Sequence, residues 1–98
     1  MTYEMNRQDD ALIISVSGRL DTNTAPELQE VLDEALDDVS ELTFDLDDLE
    51  YISSAGLRLL LVAQKRMTKQ GSMRVCNAGE AVSEVFEMSG FDGILTLE

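Results

Sequence analysis

The apolar residues of this chain change their spacing again and again, and that alternation limits the possible folds more than any other feature. Tyr3-Glu4-Met5-Asn6-Arg7 alternates apolar with polar, and Leu12-Ile13-Ile14-Ser15-Val16 is β-branched and apolar. Gln8-Asp9-Asp10 between them reads as a hairpin turn. The period then lengthens. Leu28, Val31, Leu32, Ala35, Leu36 and Val39 form one helical stripe, so a helix is expected from Thr24 to Val39. Thr24-Ala25-Pro26-Glu27 has capping-box spacing, and proline is tolerated in a first turn whose N–H groups lack partners. The remaining face, Glu27, Glu30, Asp33, Glu34, Asp37 and Asp38, belongs to solvent.

The period returns to two at Leu42, Phe44 and Leu46, a third strand with one face inward. Leu57, Leu60, Leu61 and Met67 restore helical spacing after Ser53 and Ser54. That second helix closes on Lys65, Arg66 and Lys69, with Gly71 as its stop. Met73-Arg74-Val75-Cys76 is a fourth strand. Asn77, with Glu80 three residues on, is expected to cap a third helix through Val82, Val85, Phe86 and Met88, which Gly90 ends. Ile94-Leu95-Thr96-Leu97 supplies a last strand or edge. The order is ββαβαβαβ, which implies an α/β fold with a mixed, largely parallel sheet covered by helices. At 98 residues, with Pro26 the only proline, one domain over residues 1–98 is expected.

Charge and cysteine narrow the function. Twenty acids against seven bases give a net charge of −13, which repels nucleic acid and anionic membranes. Such a surface either favours a basic partner or simply keeps the protein soluble. No basic segment with a following apolar run opens the chain, so no signal peptide is expected. The apolar run Leu59 to Ala63 is far short of the roughly 20 residues that span a bilayer. Cys76 is alone, which rules out an intrachain disulfide and a zinc cluster and fits a reducing compartment.

Catalytic chemistry has little to work with. There is no histidine, so Ser-His-Asp and Cys-His arrangements cannot form within the chain. Lys65 and Lys69 are the only lysines, one helix away from the serines. Asp45, Asp47, Asp48 and Glu50 lack the glycine and spacing of a calcium loop and read as solvated turn carboxylates. The receiver-domain pattern of a phospho-accepting aspartate also fails, for want of an acidic pair after the first strand and a lysine after the last. What remains is the pair Ser53-Ser54 at the mouth of the second helix, followed by small Ala55 and Gly56. A serine there either caps the helix or offers an open hydroxyl to a modifying partner, where phosphate would add about −1.5 to −2 charges. The local pattern leaves both readings open.

Three segments, in order and over essentially the whole length, resemble the anti-sigma factor antagonists of the STAS domain family. They are Gly18-Arg19-Leu20-Asp21 with Thr24-Ala25-Pro26-Glu27-Leu28, then Leu46 through Leu57, and Val85-Phe86-Glu87-Met88-Ser89-Gly90-Phe91. The resemblance implies a single STAS-type domain and a partner-switching binding module. The unphosphorylated antagonist binds an anti-sigma factor that is also a serine kinase, which frees a sigma factor. Phosphorylation releases the antagonist, and a separate phosphatase restores it. The family's acceptor, two positions before the glycine, corresponds to Ser54, and its loop aspartate to Asp21. The implied partner surface is Asp21, Thr22, Asn23, Ser53, Ala55, Gly56 and Arg58. Phosphorylated members often carry aspartate before the acceptor; here Ser53 stands there and is read as the N-cap. ATP and magnesium would sit on the kinase, so neither cofactor, metal nor catalytic residue is expected in this chain. The expected protein is cytoplasmic, a monomer or weak dimer. The rival reading is a STAS module that does not switch and serves as a scaffold or as a subunit of a signalling or transport assembly. Incubation with serine kinases and ATP separates the two, because only the switch gains phosphate.

Overall fold

The computed structural model describes residues 1–98. Strands β1 (Thr2–Gln8) and β2 (Ala11–Leu20) form the expected hairpin, pairing antiparallel from Thr2↔Ser17 to Gln8↔Ala11. Helix α1 (Ala25–Ala35) follows, then β3 (Glu41–Asp45), β4 (Leu49–Ile52), helix α2 (Ser54–Gln70), β5 (Ser72–Cys76) and helix α3 (Glu80–Ser89). The sheet runs β1-β2-β3-β5, with β4 also paired to β2. The three pairings beyond the hairpin are parallel, as strand–helix alternation requires.

Register explains the core. Leu12, Leu42 and Met73 lie in one row across the sheet, Ile14, Phe44 and Val75 in the next, and all six are buried. Leu28, Leu32, Leu57, Leu60, Met67, Val82 and Phe86 join them from the helices in one cluster of 24 apolar residues. The opposite rows carry Asn6, Ile13, Thr43 and Arg74, then Glu4, Ser15, Asp45 and Cys76. That face is largely open, and Ile13 on it is 43% exposed. The helices therefore cover one side only.

Several local expectations are corrected. Leu49–Ile52 is a strand that the sequence does not announce, because its buried residues, Leu49 and Ile52, are three apart and a register shift falls between Gly18 and Arg19 opposite. The last strand shrinks to one bridge, Val75↔Leu97, after a 3-10 turn at Phe91–Gly93, so the order is ββαββαβα. Helix α1 stops at Ala35, four residues early. Asp38, two residues past the C-cap Leu36, adopts φ +64°, so the helix cannot continue to Val39, yet Leu36 and Val39 stay buried beyond its end. Val31 is only half-buried. Thr24 makes no side-chain cap. Asn77 adopts φ +60° and donates to Asp45 Oδ1 at 3.1 Å, while Gly79 takes the N-cap of α3. Gly71 ends α2 for a reason other than handedness: its φ of 171° is open to any residue, but an added Cβ would lie 1.9 Å from the Ser40 carbonyl oxygen.

Candidate functional site

The site is built where two chain crossings meet. β4 leads straight into α2, and the Ser53 N–H donates to the Leu20 carbonyl at 2.9 Å, tying the start of the helix to the end of β2. Gly56 makes that junction possible. A Cβ there would meet Ile52 Cγ1 at 2.6 Å and the Leu20 carbonyl oxygen at 2.9 Å. The tie sets the first turn of α2 beside the loop that opens with Asp21.

The two serines divide the work. Ser53 is the N-cap, extended at φ −97° and ψ 178°, and its hydroxyl accepts the Ala55 N–H at 3.2 Å. Its carbonyl accepts the Leu57 N–H at 2.9 Å. Ser54 is the first helical residue and is exposed. Replacing the cap should therefore cost modestly: Ser53→Ala is expected to lose about 0.5–2 kcal/mol, measured by urea denaturation.

Across the junction, Asp21 does the capping that sequence spacing gave to Thr24. Asp21 Oδ1 accepts the Asn23 N–H at 3.0 Å and the Thr24 N–H at 3.2 Å, and the Asp21 carbonyl accepts the Ala25 N–H at 2.8 Å. Thr24 Oγ1 instead donates to the Arg19 carbonyl at 2.8 Å and accepts the Asp21 N–H at 2.9 Å. Burial acts to raise the Asp21 pKa, but the Asn23 and Thr24 N–H groups, the Thr24 hydroxyl and the Arg19 charge outweigh it. The carboxyl titrates below its ordinary value. Arg19 Nε stands 3.7 Å from Asp21 Oδ2, and its guanidinium carbon lies 4.2 Å from the centre of the Tyr51 ring.

Of the residues singled out in the sequence, Thr22, Asn23, Ser54 and Arg58 are exposed, and Asp21, Ser53 and Ala55 are half-buried. All lie on the β2–α1 loop or the first turns of α2, brought together by the Leu20–Ser53 bond. Gly56 is the exception. It is buried against Ile52 and Leu20, so it shapes the surface without lining it. Sequence reasoning missed Arg19 and Tyr51, which meet only because β2 and β4 pair there. It also missed a groove of about 270 Å³ that Thr22, Ala55 and Arg58 share with Pro26, Leu59 and Val62. Val62, exposed at the third turn of α2, was its one visible sign.

Other chemistry finds no geometry. Lys65 lies eleven residues along α2 from Ser54, about 16 Å by helical rise, too far to activate it. Asp45 Oδ1 accepts the Asp47 N–H at 3.1 Å as a turn acceptor, and no three potential ligands converge to hold a metal ion. Burial and the neighbouring Asp45 push the Cys76 thiol up, away from nucleophilic reactivity. No helix is long and apolar enough to cross a membrane.

Comparison with known proteins now adds to this geometry. The STAS domain family matches residues 2–98. BtrV of Bordetella bronchiseptica is 37% identical over 93 residues, covering 93% of this chain and 80% of that protein. The anti-sigma F factor antagonist of Paenibacillus polymyxa is 30% identical over 100 residues, covering 99% and 86%. Among solved structures, an anti-sigma factor antagonist from Mycobacterium paratuberculosis superposes with a TM-score of 0.88 at 28% identity, covering 98% of this chain and 83% of that one. The phosphorylated form of the Bacillus cell fate determinant SpoIIAA shares the fold, with a TM-score of 0.77 at 17% identity over 99% of this chain and 91% of that one. Family match, relatives and architecture agree: this chain belongs to the STAS domain family.

Proposed function

We propose that this chain is an anti-sigma factor antagonist, a cytoplasmic binding module switched by phosphate at Ser54. In the unphosphorylated state it binds an anti-sigma factor that is also a serine kinase, and so frees a sigma factor. The observation that carries this reading is the division of labour at α2. Ser53 takes the cap, which leaves the Ser54 hydroxyl exposed and uncommitted beside the Asp21 loop. Relatives named as antagonists, matched over more than four-fifths of their own length, support the partner class, and the phosphorylated form of SpoIIAA is a precedent for phosphate on this fold. In the transfer, Ser54 Oγ bonds to the γ-phosphorus of ATP as the bond to the bridging oxygen breaks. ADP leaves, and the hydroxyl proton passes to a base on the kinase. A phosphatase returns the hydroxyl by hydrolysis. The antagonist supplies no catalytic group.

The partner surface in this reading is Asp21, Thr22, Asn23, Ser53, Ala55 and Arg58, with the groove between α1 and α2 at its side. The test is incubation with the native serine kinases and ATP, followed by intact mass and pull-down. A chain that gains no phosphate and captures no kinase overturns the proposal. Asp21 offers a finer probe. Asparagine keeps the acceptor oxygen that caps α1 but loses the charge that Arg19 and the capping N–H groups favour, so Asp21→Asn should lower the urea midpoint slightly while leaving the fold intact. Calorimetry should show it binding the kinase more weakly. Unchanged affinity would remove the Asp21 carboxylate from the interface.

A further inference from the structure

The chain has only five arginines among twenty acids, and four of them are engaged. Arg7 donates to the carbonyls of Asp9, Asp37 and Asp38. Arg19 pairs with Asp21 over the Tyr51 ring, Arg66 pairs with Asp37 at 2.7 Å, and Arg74 bonds Thr43 and pairs with Glu98. Arg58 alone makes no hydrogen bond or ion pair and is exposed. Coulomb attraction in so acidic a protein would be expected to find it a partner.

Its position shows what that partner could be. Arg58 sits four residues after Ser54 on α2, and both are exposed. Side chains at that spacing stand one above the other, with Cβ atoms about 5–6 Å apart. Acid before base is the favourable sense for such a pair. We propose, resting on the reading that Ser54 carries phosphate, that Arg58 is the residue that receives it. The guanidinium reaches back one turn and holds two phosphate oxygens in parallel charge-assisted hydrogen bonds, the geometry for which its fork is suited.

The consequence for switching is twofold. Phosphate adds negative charge at the first turn of α2, and it also withdraws the free cation that borders the groove shared with α1. The helix itself is not disturbed, because the cap bond is made by Ser53 and not by the modified residue. Asp21 and Arg19, at the end of β2 and the loop after it, are already paired with each other, and the α1 residues that line the groove (Ala25, Pro26 and Gln29) do not ionise. Their contribution is common to any variant at position 58.

The test uses the full chain with phosphoserine installed at position 54 during translation, so that no kinase is needed. Phosphorus NMR then follows the second ionisation of the phosphate, near pH 6 for phosphoserine, in the parent and in Arg58→Gln. The parent phosphate is expected to titrate about half a pH unit lower than the variant, with the gap closing in high salt. Arg58→Lys, which keeps the charge and loses the fork, should fall between them. Equal titration in the parent and Arg58→Gln would overturn the proposal. A kinase that fails to phosphorylate Ser54 would overturn the function proposed above and leave this measurement intact, so the two failures cannot be confused.

Discussion

Ser54→Ala is expected to take up no phosphate from the partner kinase while keeping its affinity, which gives an antagonist that cannot be switched off. The expectation follows from what each serine does. Ser54 is exposed at the first helical position, and the cap bond of α2 is made by Ser53 instead, so alanine removes no capping interaction. The fold should not notice the change. Ser53 holds the cap, so Ser53→Ala should lose a little stability and still accept phosphate. Ser54→Asp should weaken kinase binding, because a charge introduced into an interface built around a neutral hydroxyl must be desolvated there, but less than phosphate does, with one charge and no three-oxygen head. Intact mass after incubation with kinase and ATP reads the first effect, and calorimetry the second. Phosphate persisting on Ser54→Ala but absent from Ser53→Ala would exchange the roles of the two residues.

The reach of sequence reasoning here has a physical boundary. Period and residue type are local properties, and they located β1, β2, β3, β5 and all three helices from apolar spacing together with turn, cap and glycine signals. They failed at β4, whose two buried residues are set by pairing with Gly18–Leu20 some thirty residues earlier. They failed again at the caps. Thr24 has the spacing of a capping box, but the Arg19 carbonyl competes for its hydroxyl and Asp21 takes the free N–H groups. The same limit divides the site. Ser53 as a cap was legible because a capping bond spans two residues. The Arg19–Tyr51 contact and the groove between α1 and α2 were not, because each joins segments that only the fold brings together.

Neighbouring positions on α1 give the sharpest test of the packing that supports this surface. Periodicity alone treats Val31 and Leu32 as equal members of one stripe. In the fold Leu32 is 1% exposed within the apolar cluster, whereas Val31 is only half-buried. Truncating a fully buried leucine removes its transfer free energy and leaves a cavity that close-packed neighbours cannot fill. Leu32→Ala should thus cost about 2–5 kcal/mol and lower the midpoint of thermal unfolding by about 4–8 °C for each kcal/mol lost. Val31→Ala should cost clearly less, since part of its side chain already meets water and alanine has the higher helix propensity. Equal losses at the two positions would mean that α1 is rotated about its axis from the orientation described. That rotation would also displace Pro26 and Gln29 from the wall of the groove beside Arg58, so the stability measurement bears directly on the surface assigned to the partner.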